Sequence, residues 1–248
     1  MITNSLNDST RLQQSSRQMK TAYITDRGEY SGQVDEFGVP DGYGLYLLKN
    51  GDMYLGEIIS DHLTGKGTLY YRDGSKYVGL FLNDKKNGNG SMFWLTNDKY
   101  DGEWENDYRT GYGTYDWPNG DKYVGYWVNA NQEGYGKYTW SNNNMYEGHW
   151  KDGYQNGKGY SRLPNGEKYD GNFVNGKKNR SGTHIGKNND TYARQWKDGY
   201  RDGYGVLTEP TGFIHRESGV DGRKEDTGIS TYPKKTNVAA TWTADDIY

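Results

Sequence analysis

The sequence contains no cysteine in 248 residues, which excludes disulfides, thiolate metal sites and thiol nucleophiles. Leu, Ile, Val and Phe together number only 35, about 14% of the chain, which is few for a protein with an aliphatic core. No run approaches the roughly 18 apolar residues of a membrane span, and the first twenty residues lack the apolar stretch of a secretory signal. These absences predict a cytoplasmic protein that is held together without covalent cross-links.

Aromatic residues and glycine take the place of the missing aliphatic residues. The chain has 25 Tyr, 8 Trp and 36 Gly, and its formal net charge is only −3. A chain with few aliphatic residues and a high net charge is typically disordered, but this chain is nearly neutral. Because each buried Tyr or Trp covers roughly 150–250 Å², we predict an aromatic core in which glycines make room for the rings.

A repeat of 23 residues runs through most of the chain and is marked by eight tyrosines: Tyr30, Tyr54, Tyr77, Tyr100, Tyr123, Tyr146, Tyr169 and Tyr192. The first seven are followed two residues later by glycine. The fourth residue after each tyrosine is apolar or aromatic: Val34, Ile58, Phe81, Trp104, Trp127, Trp150, Phe173 and Trp196. A Gly-x-Gly follows in most units. Such fixed spacing over roughly 180 residues indicates a tandem array in which each unit is one structural element.

Within each unit the pattern has a period of two, which is typical of β-strands. Tyr123, Gly125 and Trp127, for example, fall on one face of a strand, and both Gly-x-Gly glycines are expected to seat rings on that face. Turn dipeptides separate the strands: Asn50-Gly51, Asp73-Gly74, Asn119-Gly120 and Asn165-Gly166. Because such dipeptides tolerate the positive φ angles of a type I′ turn, each unit is interpreted as a β-hairpin.

Stacked hairpins share a core that no single hairpin can form. The predicted fold is therefore all-β, an elongated antiparallel β-hairpin solenoid consisting of a single twisted sheet. The array is expected over residues 23–216, after a disordered N-terminal segment at 1–22 and before a disordered or irregular tail at 217–248.

The succession Tyr-x-Gly-x-Trp, Gly-x-Gly and Asn-Gly-x-x-Tyr resembles the MORN repeat (membrane occupation and recognition nexus), and the unit from Tyr100 to Lys122 is close to the family consensus. The resemblance implies a hairpin solenoid that acts as a scaffold. Members serve in radial spoke heads of cilia, in basal and budding complexes of protists, in junctional membrane tethers and in myosin binding. In some members a lipid kinase or lysine methyltransferase domain follows the repeats. With about 22 residues before the array and about 32 after it, we expect no such domain here.

The sequence shows no signature of catalysis or of cofactor, metal or nucleic-acid binding. The best P-loop match ends with Lys178 where Ser or Thr should hold Mg²⁺. The four histidines lie far apart and occupy different repeat positions, unlike convergent metal ligands. Residues 23–216 carry 23 basic and 26 acidic residues, so the basic surface of a nucleic-acid-binding protein is missing. We expect a protein that is not an enzyme and that needs no cofactor.

The face opposite the tyrosines differs between units, and function is expected where the units differ. In the first three units this face is apolar, and we assign partner binding to six of its residues: Leu45, Leu47, Leu55, Leu80, Leu82 and Phe93. In the fifth and sixth units the equivalent positions are polar. A contiguous exposed apolar patch usually marks a partner, here a helix laid along the sheet or a cytoskeletal or axonemal component. The alternative is that the N-terminal segment or the curvature of the sheet covers the patch.

The seventh unit departs from the pattern and carries four basic residues without an acidic one among them: Lys177, Lys178, Arg180 and Lys187. Such a cluster could contact anionic membrane lipid, although a decayed repeat explains it more simply. An exposed terminal strand could also pair two chains into a homo-oligomer. The leading hypothesis is a non-enzymatic scaffold or adaptor that binds a protein partner within a cytoskeletal assembly, such as a ciliary one. The alternative is a peripheral membrane tether.

Overall fold

The structure is a computed structural model that describes residues 17–220, 223–224 and 229–232. In these ranges all regular secondary structure is β-strand. The chain divides into two compact units. The first comprises Met1–Asn142 with His149–Gly153, and the second comprises Asn143–Gly148 with Tyr154–Tyr248.

The first unit is an antiparallel meander in which each strand pairs with the next along the chain. Its strands are β1 (Gln18–Ile24), β2 (Gly28–Val34), β3 (Pro40–Leu48), β4 (Met53–Ile59), β5 (His62–Tyr70), β6 (Lys76–Leu82), β7 (Lys85–Phe93), β8 (Lys99–Glu105), β9 (Tyr108–Asp116), β10 (Lys122–Val128) and β11 (Asn131–Thr139). Strand β12 (Met145–Lys151) contributes residues to both units.

The second unit has the same organisation. Its further strands are β13 (Tyr154–Arg162), β14 (Lys168–Val174), β15 (Lys177–Ile185), β16 (Thr191–Lys197), β17 (Tyr200–Thr208), β18 (Ile214–Val220), β19 (Arg223–Lys224) and β20 (Ile229–Thr231). Strands β13 to β18 pair in chain order, and β18 also pairs with β19 and β20.

The predicted fold class, an all-β array of stacked antiparallel hairpins, is confirmed, and β2 to β17 form the eight predicted hairpins. The outer boundaries differ from those predicted. Strand β1 includes residues 18–22 of the predicted N-terminal segment, and strands β18 to β20 extend into the predicted tail. Residues 1–16 and most of the tail lie outside the described residues.

The repeat tyrosines form the core, as predicted. All eight are at most 2% exposed, and the apolar residue four positions on is buried in every unit. A buried hydroxyl needs a hydrogen-bond partner, and in most repeats this is the backbone carbonyl three residues along: Tyr54 donates to Glu57 O at 2.8 Å and Tyr77 to Leu80 O at 3.1 Å. The rings meet edge to face, as in the 5.2 Å contact between Tyr100 and Trp104, so the core is held by aromatic packing.

Only the second glycine of each Gly-x-Gly seats a ring, so the prediction for the first glycine was wrong. A Cβ on Gly113 would lie 2.6 Å from Cζ of Tyr100, which leaves no room for any side chain. The first glycine, Gly111, has a φ of 55° and faces Glu103 instead. Next to it the pairing of β8 with β9 shifts between Gly102 and Glu103. This β-bulge breaks the alternation on which the prediction depended.

The turns also differ from the prediction. The Asn-Gly and Asp-Gly dipeptides lie in loops of four or five residues, as at residues 117–121, where Trp117 N donates to Asp121 O at 2.9 Å. In these loops glycine has a positive φ, whereas the preceding Asn or Asp does not. The two-residue turns lie at the other end of the strands. There both residues have positive φ, as a type I′ turn requires, for instance 48° at Asn106 and 72° at Asp107.

Candidate functional site

The six residues assigned to partner binding, which we call the leucine face, all point away from the tyrosine core. Leu47, Leu55 and Leu82 are 45%, 38% and 50% exposed. Leu45 on β3 and Leu80 on β6 are half-buried. Leu45 lies directly opposite Leu55 in the pairing of β3 with β4. The described N-terminal residues therefore leave this face accessible.

Part of the leucine face lines a shallow depression of about 430 Å³ on the first unit. Leu55 and Leu80 form opposite sides of it, together with Val78. Its lining is mostly apolar, and it lies over the backbone of Gly67 and Gly79, where no side chain rises from the sheet. An apolar depression of this kind accepts side chains of a partner.

Tyr43 lines the same depression and was missed by the sequence analysis. It is the middle residue of a Gly-x-Gly and is 54% exposed. A partner would bury this ring, and tyrosine is among the residues that contribute most to binding interfaces. The signal was available, because the residue between two glycines of the repeat alternates onto the face opposite the core.

Phe93 stands apart from the leucines. It pairs with Lys76 on one neighbouring strand and Lys99 on the other. Their ammonium groups lie 5.0 and 5.6 Å from the centre of its ring. The two lysine stems thus cover part of Phe93 through cation–π contacts, which makes it a border residue of the leucine face.

The corresponding face of the second unit is polar, as the sequence predicted. It holds a larger depression of about 680 Å³, whose lining includes Lys158, Asp170, Asn172, Ser181 and Gln195. Ile185, Ala193 and Tyr204 also line it, so this depression mixes polar and apolar groups, whereas that on the leucine face is mostly apolar.

The four basic residues of the seventh unit do not form one surface. Lys177 begins β15, a strand of nine residues, whereas Lys187 lies in the turn after the other end of that strand. Lys178 belongs to the core face. Its ammonium group lies 4.6 Å from the ring centre of Tyr169 and 4.9 Å from that of Trp196. Burial lowers the pKa of Lys178.

Lys178 is one of several cations that cap the tyrosine core at the same repeat position. In the first unit this position is Lys86, then Arg109, and then the neutral Gln132. The guanidinium of Arg109 lies 4.9 Å from the ring centre of Tyr115 and 4.6 Å from that of Trp127. In the second unit the position holds Gln155, Lys178 and Arg201. These cations lie over the faces of the core rings and stabilise them through cation–π contacts.

In the eighth repeat Arg194 takes the position of the ring-seat glycine after the tyrosine. It is only 6% exposed. Its guanidinium donates to the hydroxyl of Tyr192 and to the carbonyls of Asp202 and Gly203, at 3.2 and 2.6 Å for the two carbonyls. Buried arginine is tolerated when such acceptors satisfy its donors, so we assign Arg194 a structural role.

The described residues contain no group of three or more His, Asp or Glu side chains placed to hold a metal ion. In the same part of the chain, no helix has the length and apolar character needed to span a bilayer.

Comparison with solved structures found distant likenesses. The G-box domain of the microcephaly protein CPAP aligns with a TM-score of 0.48 and 13% identity, over 77% of this chain and 99% of that domain. The TCP10 domain of Danio rerio CPAP aligns with a TM-score of 0.47 and 9% identity, over 87% of this chain and all of that domain. Scores this low support no conclusion about function. No curated protein matched the sequence.

One family matched along most of the chain. Its description is MORN repeat, and its model matches residues 30–53, 54–76, 77–99, 100–122, 123–145, 146–168, 169–191 and 195–212. These segments begin at the core tyrosines in seven of eight cases and follow the hairpins of the fold. Repeats of this family are in general non-enzymatic scaffolds that bind proteins or membranes. The chain belongs to the MORN-repeat family.

Proposed function

We propose that this protein is a non-enzymatic scaffold that binds a protein partner through the leucine face. The observation that carries the proposal is the exposed apolar depression between Leu55 and Leu80, bordered by Tyr43. These side chains are not needed for the core, which the tyrosines form on the other face. Apolar groups exposed together on one surface are stabilised when a partner removes them from water.

The partner class we favour is an amphipathic helix. Such a helix presents apolar side chains at i, i+3, i+4 and i+7, and it binds by placing them in an apolar groove. The resemblance to MORN proteins of cilia and of the cell cortex supports a cytoskeletal location in the cytoplasm. A homo-oligomer through terminal strands remains compatible with this proposal, because the leucine face lies on internal strands.

The test compares two double variants by affinity capture from cells of the source organism, with mass spectrometry. Leu47→Asp/Leu80→Asp places carboxylates on the leucine face, where a partner would have to bury them unpaired at a cost of several kcal/mol. Thr139→Asp/His149→Asp makes the same change at the equivalent positions of later repeats. We expect proteins that the control retains and the leucine variant loses. If both variants retain the same proteins, the docking face lies elsewhere.

A membrane tether is the competing function, and anionic phospholipid vesicles test it in parallel. The variant Lys177→Ser/Arg180→Ser/Lys187→Ser removes the exposed charges and spares Lys178, whose contacts with Tyr169 and Trp196 belong to the core. We expect neither wild type nor variant to sediment with the vesicles at physiological salt. Sedimentation of the wild type that the variant loses would favour the membrane tether over the scaffold.

A further inference from the structure

A ladder of five aromatic rings crosses the loop end of the tyrosine face in the first unit. Its rings lie on Trp94, Tyr115, Trp117, Tyr138 and Trp140. Successive ring centres are 5.5, 4.4, 5.2 and 4.6 Å apart. The three tryptophans are half-buried, so each also exposes part of its ring. We call these five residues the tryptophan ladder.

The ladder tryptophans differ from the core tryptophans in their hydrogen bonding. In the core, Trp104 Nε1 donates to Gly90 O at 3.0 Å, and Trp127 and Trp150 make equivalent bonds. Within the described residues, no acceptor faces the indole N–H of any ladder tryptophan. Three N–H donors are therefore free for groups of a ligand.

The spacing of the ladder fits one backbone conformation. Neighbouring strands lie about 4.8 Å apart, so equivalent residues in successive hairpins lie about 9.6 Å apart. A polyproline II helix has three residues per turn and rises 3.1 Å per residue, which places every third residue about 9.3 Å apart. Its carbonyls make no internal hydrogen bonds and can accept from indole N–H groups. Proline-rich segments of this kind bind to aromatic grooves.

The charged residues beside the ladder indicate that its ligand carries positive charge. Tyr115 donates to Asp98 at 2.9 Å, and Arg109 lies over the same ring. One repeat later, Tyr138 donates to Asp121 at 2.7 Å, but Gln132 stands where Arg109 stood. No salt bridge reaches Asp121 from the residues that the structure describes. The ladder therefore presents a carboxylate that lacks a cation. Single-stranded nucleic acid, which also stacks on aromatic rings, would be repelled.

We propose that the tryptophan ladder binds a polyproline II segment of a partner protein, with proline at every third position and an arginine or lysine that pairs with Asp121. The prolines pack on the exposed parts of the Trp94, Trp117 and Trp140 rings, and the indole N–H groups donate to the carbonyls of the segment. The ladder lies on the face opposite the leucine face. It is therefore a second docking surface, and its existence does not depend on the function of the first.

The test uses the full chain and a fluorescein-labelled peptide of three Pro-Pro-Arg triplets, about 28 Å long in polyproline II form. Binding is measured by fluorescence anisotropy. Three Gly-Gly-Arg triplets keep the charge without the conformation, and three Pro-Pro-Glu triplets keep the conformation with the opposite charge. We expect the Pro-Pro-Arg peptide to bind at least about tenfold more tightly than either control, a difference of about 1.4 kcal/mol.

The protein variants introduce residues that other repeats carry at the equivalent positions. Trp117→Leu/Trp140→Leu introduces leucine, the residue present at the equivalent Leu48 and Leu163, and should weaken binding at least about tenfold. Asp121→Asn matches Asn144 and should remove most of the salt dependence of binding. Tyr71→Leu and Asp52→Asn make the corresponding changes outside the ladder and should leave binding unchanged. Circular dichroism checks that every variant is folded.

The variant Gln132→Arg should raise the stability of the protein while it weakens peptide binding. The new guanidinium should cap the rings as Arg109 does and neutralise Asp121, so we expect a higher melting temperature and at least about tenfold weaker peptide binding. The proposal is overturned if the Pro-Pro-Arg peptide does not bind, binds no better than Gly-Gly-Arg, or binds the folded Trp117→Leu/Trp140→Leu variant equally well. Tighter binding of an oligosaccharide such as chitohexaose, lost in that variant, would likewise overturn it. All of these variants keep the leucine face, so a failure here leaves the scaffold proposal standing.

Discussion

The smallest structural unit of this fold is one tyrosine together with the two glycines on which its ring packs. The Tyr100 ring lies over the backbone of Gly102 and Gly113, which pair with each other across β8 and β9. Its hydroxyl reaches the carbonyls of Glu103 and Thr110 at 3.1 and 3.3 Å. Glycine is thus required by the ring that covers it, and the ring can be fully buried because its hydroxyl is satisfied.

Gly113→Ala tests the ring seat. The added Cβ would meet Cζ of Tyr100 at 2.6 Å, so the ring or the strand must shift. We expect a loss of about 1–3 kcal/mol in the free energy of unfolding, which is typical of an overpacked core. Thr114→Ala, one residue on and on the opposite face, should cost less than about 1 kcal/mol. Denaturant unfolding monitored by circular dichroism measures both. Equal costs would show that the ring does not need the glycine.

At this scale the sequence was informative. The 23-residue repeat and the two-residue period together placed eight tyrosines and the apolar residues four positions later in the core, where all of them are buried. It misplaced Gly111, because alternation assumes an unbroken strand and a β-bulge intervenes. It also grouped Lys178 with Lys177 and Lys187 by charge alone, although neighbouring residues of a strand point to opposite faces. The tryptophan ladder depends on ring contacts between hairpins, which spacing alone does not reveal.

At the scale of the element, most hairpins combine a two-residue turn with a bulge two or three pairs further on, as in β8–β9 and β10–β11, whereas a five-residue loop joins β2 to β3. Both need residues with positive φ. Asn, Asp and Gly fill most of these positions, but the bulge of β15 holds Arg180 with a φ of 57°. The first glycine of Gly-x-Gly occupies this place in the other repeats. The Asn-Gly and Asp-Gly dipeptides predicted two-residue turns at the wrong end of the strands, because these dipeptides occur in both kinds of connection.

Arg180→Gly should therefore stabilise the protein. A non-glycine residue in the left-handed region costs of order 1–3 kcal/mol, and the entropy that glycine adds to the unfolded chain offsets part of the gain. We expect a net increase of about 1 kcal/mol in the free energy of unfolding, visible as a higher melting temperature. Ser181→Gly, where φ is negative or extended, supplies the control and should destabilise. If Arg180→Gly destabilises as much as Ser181→Gly, the bulge is not strained.

At the scale of the whole molecule, the core contains many buried tyrosines, whose hydroxyls ionise, and it should be sensitive to alkali. Burial raises the pKa of Tyr30 and of Tyr169 to about 12, and that of Tyr54 further. An unfolded tyrosine has a pKa of about 10. Because the folded state holds these protons more tightly, its stability is fully present below about pH 10 and falls as the pH rises towards 12.

We therefore expect a cooperative loss of the circular dichroism signal between about pH 10 and 12, together with a rise in tyrosinate absorbance. Reversal on return to neutral pH would show that ionisation caused the unfolding. A protein that keeps its signal while all its tyrosines ionise would contradict an aromatic core that must stay protonated.

The two faces of the first unit have different roles. The tyrosine face holds the fold, and the leucine face is free to bind. Trp127 represents the first face, because it packs edge to face against Tyr100 and Tyr123 with ring centres 5.5 and 5.1 Å away. Leu47 and Leu80 represent the second.

The most direct measurement is the free energy of unfolding of two variants side by side, from denaturant titrations of the purified chain. Trp127→Ala should lose roughly 3–5 kcal/mol, the usual cost of removing a buried tryptophan. Leu47→Asp/Leu80→Asp, like Val124→Ser on the same face as the leucines, should lose less than about 1 kcal/mol. Comparable losses from the tryptophan and the leucine variants would contradict the account, because the leucine face would then be part of the core.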